Sequence, residues 1–221
     1  MAITFRRPGA LLISALLLAV ALPGTLSAHP HVWFETRIVL QPGSSGSGET
    51  LRVGFEWTFD AMFTEMILAD FDENRDRRFS TGETRNIEAE AFSNLRHYDY
   101  FVSLRIGDRQ FVPQGVEAFS ARIDDHGPDG ERLVYRFFLT DELPAAFAVT
   151  VFDESYYSAI DYHPEVVLTE GLDAERLTVS RRPARDRVAR YQVGHGVAGI
   201  FGGSEIAYGE EVVLRLDSGS S

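Results

Sequence analysis

Between Leu51 and Phe71 the hydrophobic period changes, and that change constrains the fold more than any other feature. Leu51, Val53, Phe55, Trp57 and Phe59 alternate strictly, so a strand over this segment collects five large apolar side chains on one face. Met62, Phe63, Met66, Ile67 and Phe71 then fall on one helical stripe, with Thr58 or Asp60 as the cap. His31 to Leu40 also alternates, and Gln41 to Glu49 has the composition of a flexible turn, so the two runs predict an antiparallel hairpin. A second helix is expected from Thr81 to about Leu95. Further short strands are expected over 100–106, 110–119, 121–124, 132–139, 147–152, 165–168, 176–180 and 211–216. The expected class is therefore α+β: an antiparallel β-rich domain with an inserted, EF-hand-like helix–loop–helix pair.

Upstream of these elements, Met1 to Ala28 has the pattern of a secretory signal peptide. Arg6 and Arg7 precede the apolar run Leu11 to Leu22, Pro23-Gly24 breaks it, and Leu26-Ser27-Ala28 offers a small-residue cleavage site. The rival reading is a membrane anchor, but the run is short for a span of ~20 residues. Cleavage after Ala28 implies a periplasmic protein with no membrane insertion afterwards. It removes two of the 21 basic residues and none of the 33 acidic ones, so the net charge moves from −12 to −14. That balance argues against nucleic acid or an anionic membrane as partner. The chain has no cysteine, which excludes disulfides, thiolate metal sites and cysteine nucleophiles. All 21 basic residues are Arg, which excludes Schiff-base chemistry and a P-loop lysine. Residues 29–180 read as the domain. Residues 181–221 read as an Arg- and Gly-rich tail whose order stays open.

Two segments carry candidate metal chemistry. In Asp72-Glu73-Asn74-Arg75-Asp76-Arg77-Arg78-Phe79-Ser80-Thr81-Gly82-Glu83, Asp72, Asn74, Asp76, Ser80, Glu83 and the Arg78 carbonyl occupy the oxygen-donor positions of a calcium loop. The sixth position, normally Gly, is Arg77, which costs ~1–2 kcal/mol in left-handed backbone. The alternative is a solvated, charged turn that binds nothing. The second segment is the mature N-terminus, His29-Pro30-His31. There the α-amine and the His29 ring chelate a divalent transition metal, and in an extended strand His31 faces the same side. Gly194-His195-Gly196-Val197-Ala198-Gly199 matches a dinucleotide-binding spacing, but no βαβ unit surrounds it. No nucleophile elbow is present, so the chain is not expected to be an enzyme.

Several of these residues also carry a family resemblance. His29-Pro30-His31-Val32-Trp33-Phe34 after a leader, Trp57-Thr58-Phe59-Asp60, the acidic run from Asp70 to Glu83, Tyr100-Phe101 and Phe152-Asp153-Glu154-Ser155-Tyr156-Tyr157 follow in an order that resembles the domain-of-unknown-function family numbered 1007. The resemblance covers roughly His29 to Ser180. It implies a periplasmic component of an uncharacterised ABC-type transport system, found beside nickel/cobalt exporters. The implied role is a metal-binding accessory that works with an inner-membrane metal transporter. The alternative is a non-catalytic interaction domain braced by the acidic loop, with calcium or without metal. Family members often carry Gly where this chain has Arg77.

Overall fold

A computed structural model of the chain describes residues 31–44, 50–193 and 203–217. The alternating face of Leu51, Val53, Phe55, Trp57 and Phe59 is buried, each residue at most 5% exposed. It belongs to strand β2 (Thr50–Phe59), which pairs antiparallel with β1 (Val32–Pro42), Phe34 opposite Phe59 and Pro42 opposite Leu51. Two five-stranded sheets are built around this hairpin. The first has the order β5 (Val116–Asp125), β6 (Glu131–Pro144), β2, β1, β8 (Ser158–Thr169). The second has the order β4 (Arg109–Phe111), β3 (Val102–Ile106), β7 (Ala146–Val151), β10 (Gly203–Leu216), β9 (Leu177–Val193). One apolar cluster joins them: Ile38, Phe55 and Phe137 from the first sheet meet Leu104, Val149 and Leu214 from the second. Gly54 lets β2 and β6 approach closely, because a Cβ there would lie 2.6 Å from the Phe137 carbonyl oxygen.

This architecture corrects the expected α+β class. Strands make up more than half of the described residues and form a β-sandwich-like fold, so the helical pair is not half of an α+β domain but a short insertion between β2 and β3. The reason lies in the edge strands. β8 runs twelve residues where four are legible as apolar alternation, because His163-Pro164 interrupts it. That strand is at an edge, where a missing N–H costs no ladder bond, and the pairing with β1 shifts register between Thr36 and Ile38. β9 hides its alternation behind Arg181, Arg182, Pro183 and Arg187, and it too is an edge strand. It runs without a break through Ser180 and Arg181 and pairs along its length with β10.

The insertion consists of helix α1 (Ala61–Phe71), a loop, helix α2 (Thr81–Glu90) and a 3-10 segment (Phe92–Phe101). Asp60 caps α1 by accepting from Phe63 N at 2.9 Å. Ser80 and Glu83 cap α2 reciprocally. Only part of the α1 stripe is covered: Ile67 is buried, while Met62 and Met66 are 65% and 49% exposed.

Candidate functional site

Four chain segments meet at one end of the first sheet. The start of β1 is held by β2 and α1: Trp33 N donates to Asp60 Oδ2 and Asp60 N donates to the Trp33 carbonyl, both at 2.9 Å. One carboxylate thus caps a helix and fixes a strand. His31 N donates to the Tyr157 carbonyl at 2.8 Å, which brings the 152–157 loop against the same strand. Phe152 N donates to the Phe101 carbonyl at 2.8 Å, which adds the end of the 3-10 segment. Aromatic side chains fill the space between. Phe34 and Trp57 lie 4.6 Å apart, Phe59 stacks on Phe63 at 4.6 Å, and Phe92 meets Phe137 at 4.9 Å.

The rings do not close the space. A cavity of about 410 Å³ remains, floored by Phe34, Trp57, Phe59 and Tyr135 and walled by Phe92, Leu95 and Phe101. Its volume falls in the ~300–1,000 Å³ range of small-molecule sites. Tyr98 and Tyr157 line it while staying 60% and 51% exposed, so they form its rim. A polar cleft of about 330 Å³ adjoins it, sharing Tyr98, Phe101, Asp153 and Ser155. In that cleft Arg187 pairs with Glu154 and donates to Ser103 Oγ at 2.9 Å.

Two physical tensions are concentrated here. The first is backbone strain. Asp99, Tyr100, Phe101 and Tyr156 are four of the seven non-glycine residues with left-handed φ among the described residues, with φ of 51°, 52°, 57° and 53°. Each costs ~1–2 kcal/mol, less for Asp. The second is unmet polarity. Trp57 Nε1 and Tyr135 OH are buried with no hydrogen-bond partner among the described residues. A buried polar group left unsatisfied costs ~1–3 kcal/mol. Burial pushes the Tyr135 hydroxyl well above the ordinary tyrosine range, and it also raises Tyr100. Asp153 is the contrasting case: buried at 4% exposure, it accepts from Ser155 N at 2.8 Å, Ser155 Oγ at 2.6 Å and Ser158 N at 2.9 Å.

The residues singled out for metal lie elsewhere or at the margin. His29 falls outside the described residues. His31 is exposed at the start of β1, its ring 5.0 Å from that of Tyr157 beside the cavity rim. The acidic loop lies at the far end of α1. Asp72 accepts from Asp76 N at 3.2 Å and Arg77 N at 2.8 Å, Asn74 Oδ1 from Asp76 N at 2.9 Å, and Asp76 Oδ1 from Arg78 N at 2.8 Å. Glu83 accepts from Glu73 N at 2.9 Å and Ser80 N at 2.7 Å, and the Ser80 bonds hold its carboxyl below the usual range. Arg77 is left-handed, with φ of 60°. Its guanidinium reaches out of the loop to Glu65 at 2.6 Å and Glu131 at 2.5 Å, so its charge is balanced outside the loop. Among the described residues no three or more His, Asp or Glu side chains converge to hold a metal, and no helix is long and apolar enough to cross a membrane.

Metal and carboxylate chemistry along the chain gives no sign of the cavity. Its signal in the sequence is aromatic density: Val32 and Phe34, Trp57 and Phe59, Phe101, and Asp153, Ser155 and Tyr157 all line it.

Comparison with known proteins adds membership but no activity. An uncharacterized 15.5 kDa protein in the trpE 3′ region of Spirochaeta aurantia is 27% identical over 96 residues. The match takes in 42% of this chain and spans 65% of that protein's length. Acetylcholine-binding protein type 1 of Biomphalaria glabrata aligns over 96% of this chain and 100% of its own, at 11% identity and a TM-score of 0.33. AChBP from Bulinus truncatus aligns over 94% and 98%, at 10% identity and a TM-score of 0.32. Likeness at that level says nothing about this chain's fold or ligand. The family described as Protein of unknown function (DUF1007) matches residues 14–193, a span that takes in all four cavity-forming segments, and the chain belongs to that family.

Proposed function

We propose that this chain is a non-catalytic binding protein whose working surface is the aromatic cavity. One observation carries the reading: four segments far apart in sequence, each part of a motif of its own, meet around a single cavity where strain and unmet polarity are concentrated. A binding role is further supported by Asp153, whose carboxylate oxygens are taken up by Ser155 and Ser158 rather than left to act on a substrate. The leader pattern of residues 1–28 supports work in the periplasm, and the resemblance supports service to a metal transport system.

A second reading is favoured by the place of His31 at the cavity rim. In it, His29, His31 and the mature α-amine carry a divalent transition ion, and the rim faces an inner-membrane metal transporter. The two readings separate in cells. A chromosomal Tyr98→Ala/Tyr157→Ala variant that folds and is exported should match the deletion strain in cellular metal content. Full complementation by that variant overturns the cavity as the working surface. His31→Ala, by contrast, should impair only if the second reading holds. Calorimetry on processed protein should then show at least ~10-fold weaker binding of nickel or copper, about 1.4 kcal/mol.

A further inference from the structure

We infer that Met62 and Met66 form a site for a soft monovalent metal ion, of the Cu(I) and Ag(I) class, on the outer face of helix α1. The site is independent of the aromatic cavity and uses neither His29 nor His31.

Three observations carry the inference. First, both thioethers are open to solvent. Ile67 and Leu68 turn the other side of α1 into the core at 4% and 6% exposure, whereas Met62 and Met66 stay 65% and 49% exposed, so core packing accounts for neither. Second, the two stand one turn apart. Residues four apart on a helix share a face, with Cβ atoms ~5–6 Å from each other. Each sulfur sits two bonds beyond its Cβ on an unbranched, freely turning chain, so both sulfurs close on one ion without moving the backbone. The helix beneath them is fixed at its first turn, where Asp60 accepts from Phe63 N and its own N–H donates to the Trp33 carbonyl. Third, the neighbouring donors select for softness. Glu65 shares the outer face, but Arg77 Nη2 and Nη1 hold its two oxygens at 2.6 and 3.2 Å. Ala61 and Ala69 bring no donor, and Asp70 is a single exposed carboxylate. That falls short of the ~6–8 oxygens a calcium ion takes, whereas thioether sulfur selects Cu(I). Outside Met1 these are the chain's only methionines, and it has no cysteine, so its soft sulfur donors are gathered here.

The test is a titration of the full chain with Ag(I), a redox-stable stand-in for Cu(I). It is run in a His29→Ala/His31→Ala background, which removes the rival imidazoles near the N-terminus. The readouts are calorimetry and the NMR signals of the methionine methyl groups, assigned through Met62→Leu and Met66→Leu. Silver should shift the Met62 and Met66 signals together and saturate both at one ion per chain. Each Met→Leu change conserves side-chain volume, so it should leave the melting temperature unchanged while weakening silver at least ~10-fold. Zinc, nickel and calcium should leave both signals in place. A shift of one methyl group alone overturns the shared site. Unchanged silver affinity in both Met→Leu variants overturns it in favour of the remaining histidines. A response to zinc or nickel equal to that to silver overturns the inference by removing its selectivity. No methyl shift at all overturns it in favour of an outer face that meets only solvent or a protein partner.

Discussion

The acidic loop and the aromatic cavity lie at opposite ends of helix α1, and they treat their polar groups in opposite ways. At the C-terminal end, Asp72, Asn74, Asp76 and Glu83 accept from five different backbone N–H groups of the loop and the α2 cap. Arg77 carries its charge outward to Glu65 and Glu131. At the N-terminal end, beyond Asp60 and Phe63, two buried polar atoms have no partner among the described residues and three consecutive residues are held left-handed. The region densest in charge has satisfied itself. The region densest in hydrocarbon has not. A self-satisfied cluster needs no ligand to fold, whereas each polar atom buried without a partner adds ~1–3 kcal/mol to the cost of assembling the aromatic end.

The largest expected effect comes from the cavity walls. Phe92→Ala removes a ring at 2% exposure that contacts Tyr100, Phe119 and Phe137, and it should cost ~3–5 kcal/mol in urea unfolding. A loss below ~1 kcal/mol would mean that the cavity collapses freely and is not a preformed site. Asp60→Ala should come next, at ~0.5–2 kcal/mol, because it removes the α1 cap and the anchor of Trp33 together. Hydrogen exchange should then rise at β1 and α1 but not in the acidic loop.

Backbone strain separates two arginines within the loop itself. Arg75 is exposed at φ 61°, so Arg75→Gly should stabilise by ~1 kcal/mol. Arg77→Gly relieves the same strain but loses Glu65 and Glu131, and it should be neutral within ~0.5 kcal/mol. A large gain from Arg77→Gly would show that its ion pairs contribute nothing.

The two ends should also have opposite pH signatures. The Glu83 carboxyl is held below its ordinary 4.5, so its contribution is full above that value and lost as pH falls through the lower folded-state value. The Tyr135 hydroxyl is raised above its ordinary 10.0, so its contribution is full below that value and lost as pH rises toward the folded-state value. Acid should open exchange first in the loop, alkali first at the cavity. Glu83→Gln should flatten the first limb and Tyr135→Phe the second. The smallest expected effect is that of calcium. A loop already closed by its own N–H bonds should gain less than ~0.5 kcal/mol at millimolar calcium. A melting shift of several degrees that Glu83→Gln abolishes would instead establish Asp72, Asn74, Asp76, Arg78, Ser80 and Glu83 as a calcium site.

Much of this molecule was legible along the chain. The β1–β2 hairpin, its buried face, the Asp60 cap, the helix–loop–helix and the left-handed need at Arg77 each lie within one continuous stretch of about thirty residues or fewer. The sandwich was not legible, because Pro164 and Pro183 interrupt alternation only where an edge strand tolerates them, and edge position is not a local property. The cavity was hidden for a related reason. Phe34, Trp57, Phe101 and Tyr157 stand in four segments far apart in the chain, and no local pattern says that they meet.

Sequence by itself therefore determined the periods, the caps, the turns and the charge balance, since each is set by contacts between near neighbours. Tertiary structure alone decided that Trp57 Nε1 and Tyr135 OH would be buried without partners among the described residues, and that strain at 99–101 and 156 would gather beside them. Whether a buried polar atom is satisfied depends on which distant strand passes within hydrogen-bond reach, and only the packing of the two sheets and the helical insertion settles that distance.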